Sequence, residues 1–337
     1  MNPLISVVIP TYNCAKFLPG AISSVIEQTY KIIEIIVVDD CSHDDTEQVV
    51  KRFPMGIYNI KYIKHDENKG ISATRNTGIA TAKGEFIAFL DADDIWAPHK
   101  LEYQYKIFKE NPQLGLVFTG YKLIDLNKRI MREYLPPRFK NQNDFIKNLL
   151  IRNVVNPTSS VLIKKECIEK VGLFDTSLKV AEDWDMWIRI AHKYKFGTVE
   201  SPCVTYREHS QNISRDVRKM ILYSTEVIFK NLSLFADIFP KKELQIIKKK
   251  ALSSLYLSAA QGVRDDTNRR KEMLRYLTKS IFFYPLKTFV RDDKYTLLFK
   301  AIFPPTLYNA LKKLRKIILR IVYKDEHPRL KPDHEDF

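Results

Sequence analysis

The 337-residue chain is most informative first in what it has little of. Its four cysteines, Cys14, Cys41, Cys167 and Cys203, are scattered, with no CxxC pair and no His-Cys cluster at zinc-ligand spacing. This argues against a disulfide framework or a structural zinc and suits a reducing compartment. Only ten glycines and no low-complexity tract argue against a long flexible linker or a disordered chain. No internal repeat occurs at solenoid-like periods. No run of roughly 18 apolar residues is free of charge, so no spanning helix is expected. The start, MNPLISVVIPTYN, has no basic segment ahead of its apolar stretch and reads as a first strand, not a secretory signal. These absences predict a cytoplasmic protein.

What is present alternates. ISVVIP (Ile5 to Pro10), IIEIIVVDD (Ile32 to Asp40), IYNIKYIKH and EFIAFLDADD (Glu85 to Asp94) are strand-length apolar runs. Between them TEQVVKRF and residues 71–82 carry helical patterns, as does the stretch holding Ala21, Val25 and Ile26. This βαβα order predicts an α/β fold with a mainly parallel sheet and helices on both faces. After Asn111-Pro112 the pattern changes: LGLVFTGYKLID and SSVLIKKECI read as longer strands, WDMWIRIAHKY (Trp184 to Tyr194) as a helix, and FGTVESPCVTYREH as strand and loop. From about residue 215 the chain reads as helical, with one helix over Arg269 to Phe283 ended by Tyr284-Pro285.

Polar side chains collect where the strands end: Thr11 and Asn13, then Asp39 and Asp40, then Asp91, Asp93 and Asp94. Ligands of open α/β sheets bind at that edge. The first turn, PTYNCAKF, lacks GxGxxG, which argues against an ordinary dinucleotide site. The Asp-x-Asp of FLDADDIW offers hard oxygen ligands suited to Mg²⁺ or Mn²⁺ beside a diphosphate, although acidic residues are also common in plain turns. In VAEDWDMW, Asp183 has the chemistry of a general base, while carboxylates at a helix start also serve as caps. His209 in YREHSQNIS is either a metal ligand or an ordinary surface or core histidine.

Taken together, TYN, VVDDCS, NKGISATRNTGIATAKGEFIAFLDADDIW, GLFD…AEDWDMWIRIA and YREHSQNIS occur in that order over residues 4–212. This resembles the family 2 glycosyltransferases, of GT-A fold. The resemblance implies a Rossmann-like domain with a nucleotide-sugar-binding half, 1–110, an acceptor half, 111–212, and an appended basic helical region, 213–337. It implies that Pro10, Thr11, Tyr12 and Asp39 frame the nucleotide base, with Arg75 beside base or phosphates and Asp91 facing ribose or metal. It further implies Asp93 as metal ligand, Asp183 as catalytic base, Glu182 and Trp184 beside the acceptor, and His209 completing the metal shell or touching the diphosphate. The activity implied is inverting transfer of a sugar from a nucleotide-diphosphate donor, a UDP-sugar first, to a glycan or lipid-linked acceptor, with Mn²⁺ or Mg²⁺. Two departures stand out: Cys41-Ser42 replaces the usual Gly-Ser, and no QxxRW follows EDWDMW, which suits a single-addition enzyme. The alternative is a non-catalytic, membrane-associated scaffold of the same fold.

The formal charge of +15 is lopsided: residues 215–337 carry 27 Lys and Arg against 14 Asp and Glu. In Pro305 to Lys324, Leu307, Leu311, Leu314, Ile317, Ile318, Ile321 and Val322 cover one helical face, with Lys312, Lys313, Lys316 and Arg320 opposite. Such a helix lies on an anionic membrane surface, as a peripheral protein would, or packs on its own domain or on a second subunit of a homo-oligomer. Binding of nucleic acid is not expected, because no motif and no compact Arg-aromatic platform is present.

Overall fold

The computed structural model describes residues 2–209, 216–264 and 266–285; the expected helix Pro305 to Lys324 lies outside them. The described residues fall into two compact units that divide between Ala251 and Leu252.

The first unit is built on one mixed sheet. Strands β1 (Ile5–Thr11), β2 (Ile33–Asp39), β3 (Ile60–Lys64) and β4 (Phe86–Phe89) run parallel in the order β3-β2-β1-β4. Helices α1 (Leu18–Ile26), α2 (Thr46–Lys51) and α3 (Ile71–Thr81) connect them. β1 is buried at every position, which is why it reads as an unbroken apolar run. The second half of the sheet changes direction. β4 pairs antiparallel with β8 (Val161–Lys164), which pairs antiparallel with β6 (Leu114–Ile124). β6 runs parallel to β9 (Lys195–Arg207), and β9 closes antiparallel on the short β5 (Ile95–Trp96). β7 (Ile130–Tyr134) pairs only with the far end of β6, as a hairpin.

Both faces are covered, as the sequence predicts. Ile5, Val7 and Ile9 enter one core cluster with Leu18, Ile22 and Val25 of α1 and with Leu101 and Phe108 of α4 (Lys100–Glu110). Val8, pointing the other way, lies under α3. Helices α5 (Gln142–Ile151), α6 (Lys165–Val171), α7 (Glu182–Lys193) and α8 (Val217–Leu232) follow, and then α9 (Lys241–Gly262).

In the second unit, α10 (Arg270–Phe283) occupies the span expected for it. Within that unit Ser253 and Ser280 each donate a hydroxyl to the other's carbonyl at 2.7 Å, and Tyr256 stacks on Phe283.

Two strand readings need correction. SSVLIKKECI is strand only to Lys164, and Lys165 onward is helix, because the β-branched run ends there and an amphipathic turn begins. EFIAFLDADD is strand only to Phe89; Asp91 to Asp94 form a turn closed by Asp94 N donating to Asp91 O at 3.0 Å.

α3 sits so close to β1 that a Cβ on Gly78 would lie 2.2 Å from Val8 Cγ1. Helix propensity favours Ala over Gly by about 1 kcal/mol, but overpacking a stiff β-branched neighbour costs about 1–3 kcal/mol. Gly78→Ala is therefore expected to lower the urea midpoint of unfolding; a raised midpoint would mean that α3 is free to lift off the sheet.

Candidate active site

The parallel strands deliver their polar residues to one edge. Thr11 and Asp39 are register partners at the ends of β1 and β2. Asp39 is fully buried; its Oδ1 accepts from Ser42 N at 2.8 Å and its Oδ2 from Tyr62 OH at 2.5 Å. Burial, and then this carboxylate, push the Tyr62 phenol far above its ordinary range. Pro10 is buried in β1, and Tyr12, just beyond it, is 44 % exposed. The buried Thr11 Oγ1 has no hydrogen-bond partner among the described residues, an arrangement that costs about 1–3 kcal/mol unless a ligand satisfies it.

Asp40 serves the scaffold. Its carboxylate accepts from Lys69 N, Gly70 N and His65 Nδ1, each at 2.8 Å, while His65 Nε2 meets Thr77 Oγ1 at 2.9 Å. The loop ahead of α3 is thereby tied to β2. Cys41, at φ +68°, occupies the left-handed region that glycine tolerates best, which explains why the family pattern has glycine there.

The acidic turn is held from below by a residue with no motif of its own. Ser159, in the 3-10 turn Thr158–Ser160, donates its hydroxyl to Asp94 Oδ2 at 2.6 Å and accepts from Asp91 N at 3.0 Å. Its carbonyl takes the Trp96 indole N–H at 2.8 Å. From β9, Arg207 donates Nε to Asp93 O at 3.3 Å, and His209 Nε2 lies 2.8 Å from Asp93 Oδ2. Phe17 stacks on the His209 ring with centroids 5.5 Å apart. Burial raises the Asp94 pKa well above the carboxylate range, with Asp93 and Asp91 adding to it. Asp93 is raised by burial and by Asp91, with His209 opposing.

Arg75, on α3, is buried and bridges two elements. Its Nη2 pairs with Asp91 Oδ1 at 2.9 Å, and its Nη1 with Glu182 Oε1 at 2.5 Å. Glu182 begins α7 after Ala181, whose φ of +62° is unusual for a residue with a Cβ. Asp183 Oδ2 accepts from Asn153 Nδ2 at 3.0 Å and Thr158 Oγ1 at 3.3 Å, and its Oδ1 accepts from Trp184 N at 2.7 Å. One guanidinium thus serves a group of three carboxylates. Burial pushes Glu182 up to about 7, Arg75 opposing and Asp183 reinforcing. Burial raises Asp183 too, opposed by Arg75 and Asn153.

Trp184 is buried, and its indole donates to Leu149 O at 2.6 Å, so it packs α7 against α5. Asp185 is likewise structural, paired with Arg189 and Asn231 at 2.8 Å each.

Asp91, Arg75, Glu182 and Asp183 therefore form one cluster, and Asp93 of the acidic turn pairs with His209 from beyond β9, while Thr11, Tyr12 and Asp39 belong to the β1–β2 end. Sequence reasoning reads Arg207, within YREHSQNIS, as an ordinary surface or core residue, and it misses Asn153, Thr158, Ser159 and Phe17. Nothing local marks them, because they matter only once β8 and β9 lie beside the acidic turn. Among the described residues no group of three or more His, Cys, Asp or Glu side chains converges as a metal site. Asp93 and His209 supply two donors.

Residues 6–172 match the family model described as glycosyl transferase family 2. An uncharacterized glycosyltransferase of Methanocaldococcus jannaschii is 35 % identical over 227 residues, 66 % of this chain and 77 % of that one. The Escherichia coli UDP-Glc:alpha-D-GlcNAc-diphosphoundecaprenol beta-1,3-glucosyltransferase WfgD is 30 % identical over 235 residues, 67 % of this chain and 85 % of that one. The fold is similar to that of S. aureus TarS 1–349 in complex with UDP, with a TM-score of 0.61 at 18 % identity, covering 96 % of this chain and 92 % of that one. Ordered motifs, GT-A architecture and these likenesses agree: the chain belongs to glycosyl transferase family 2.

Proposed function

We propose that this glycosyltransferase moves a sugar from a UDP-sugar, with inversion, onto a hydroxyl of a glycan or lipid-diphosphate-linked acceptor. The observation that carries the reading is the setting of Asp183: a half-buried carboxylate, oriented by three donors, beside an arginine-bridged cluster that reaches the acidic turn. In this reading residues 1–110 bind the donor and 111–212 the acceptor. Pro10, Thr11, Tyr12 and Asp39 frame the base, and Arg75 and Asp91 lie on the ribose and diphosphate side.

Asp183 takes the proton of the attacking hydroxyl. Asn153, Thr158 and the Trp184 N–H hold its oxygens in place, and Glu182 stands next to it toward the acceptor. A single displacement needs only one base, in contrast to the paired carboxylates of glycoside hydrolases.

Asp93 with His209 fits Mn²⁺ or Mg²⁺, because one carboxylate and one imidazole leave the other positions to diphosphate oxygens and water. Such a cation supplies charge neutralisation for the leaving diphosphate. The name of WfgD specifies UDP-Glc as donor and a diphosphoundecaprenol-linked acceptor, which supports UDP and a lipid-linked acceptor; surface polysaccharide synthesis at the inner face of the cell membrane is the role we propose.

Calorimetric titration with UDP, with and without Mn²⁺ and with GDP as control, tests the donor site. Metal-dependent UDP binding that is lost in Asp93→Ala is expected, and unchanged affinity in that variant would remove Asp93 from the metal site. Asp183→Asn should retain UDP binding while turnover falls by about 10²–10⁴-fold; substantial residual turnover would sink the base assignment. Because the base must be ionised, kcat should fall as pH drops through the raised Asp183 pKa. Asn153→Ala removes a bond that favours the carboxylate, so the acid limb of the profile should move to higher pH; a shift to lower pH would contradict the assignment.

A further inference from the structure

The β6–β7 hairpin carries an apolar tip that the transfer chemistry leaves unused. Asp125 folds the turn, its Oδ1 accepting from Asn127 N at 2.8 Å and Arg129 N at 2.9 Å. Leu126, Ile130 and Met131 are 55 %, 58 % and 58 % exposed, and every residue from 126 to 133 is exposed. The pairing passes from Leu123–Arg132 to Ile124–Ile130, so Met131 is the extra residue of a bulge at the tip. Lys128, Arg129 and Arg132 stand around the tip, and the acidic Glu133 is paired with Lys122 at 3.1 Å. That collar complements anionic headgroups.

The base of the same hairpin leads to the site. Tyr121 and Tyr134 stack with centroids 4.6 Å apart. With Leu135, Pro136, Arg152 and Asn153 they line an open cavity of about 270 Å³. Asn153 is the side chain that donates to Asp183. Arg152 has no carboxylate partner among the described residues.

We propose that the β6–β7 hairpin dips its Leu126, Ile130 and Met131 tip into an anionic phospholipid bilayer, so that the cavity beside Asp183 opens at the lipid surface. The bilayer contact rests on the hairpin alone, and its link to acceptor delivery rests on the function proposed above.

The test is co-sedimentation of the full-length protein with vesicles of equal parts phosphatidylglycerol and phosphatidylcholine, against phosphatidylcholine alone. Binding to the anionic vesicles is expected. Combined Leu126→Ser, Ile130→Ser and Met131→Ser should weaken it by about tenfold or more while UDP binding is kept. Lys128→Ser with Arg129→Ser should flatten the dependence on phosphatidylglycerol. Met131→Trp reports on the tip directly: its emission should be quenched by brominated phosphatidylcholine in the same vesicles, whatever the C-terminal region contributes and even if the triple variant misfolds. Absent quenching, vesicle binding unchanged in a folded triple variant, or a tip that governs self-association without lipid would each overturn the proposal. Loss of UDP binding with quenching intact would sink the donor-site reading and leave the hairpin assignment standing.

Discussion

One buried guanidinium holds the site together. Arg75 joins Asp91, 16 residues along the chain, to Glu182, 107 residues along, with its charge also near the Phe174 ring. The pairing ties the acidic turn after β4 to the start of α7, next to Asp183. Three carboxylates around one cation are unfavourable in a dry setting, and burial raises Glu182 and Asp183 accordingly. Removing the arginine would leave buried charges unpaired, a change of about 3–5 kcal/mol. The guanidinium is therefore structural and electrostatic at once.

A neutral layer beneath that pair does a second job. Ser159 binds both Asp94 and the backbone of Asp91, and its carbonyl takes the Trp96 indole. These bonds fix the turn without adding charge. Burial, reinforced by Asp93 and Asp91, favours the protonated form of Asp94. Asp93 is left facing His209, whose Nε2 lies 2.8 Å from its Oδ2. The lower scaffold is similarly polar but satisfied: Gln104 bonds Val117 O and Ser160 O, and the buried Lys100 donates to Gln104 while lying 4.0 Å from the centroid of the Trp96 ring.

The β6–β7 hairpin is a contrast within the same fold. Single apolar side chains such as Ile57, Leu173 and Leu222 are exposed elsewhere in the first unit, but Leu126, Ile130 and Met131 lie together on one short ribbon whose base lines the cavity next to Asn153. Apolar side chains exposed together in this way mark an interaction surface. The contrast sets that hairpin apart from the surrounding surface.

The sequence by itself determined the parallel half of the fold. Strands buried on both faces show as unbroken apolar runs, as in β1 and β2, and the alternation of such runs with helical periods requires crossovers. It also placed Asp39, Asp91 and Asp93 at or just beyond strand ends, since the chain leaves a sheet where polar residues begin, and the ordered motifs identified the family. It did not reveal that the acidic segment leaves β4 at Phe89, nor that Lys165 begins a helix, because short apolar runs fit either period. Only the tertiary structure decided the second half of the sheet, with β8, β6, β9 and β5 out of chain order. The same is true of the Arg75–Glu182 bridge, the Ser159 support and the Asn153–Asp183 contact. The physical reason is distance along the chain: these contacts join residues 30 to 107 positions apart, whereas periodicity and capping report only on neighbours within a few turns.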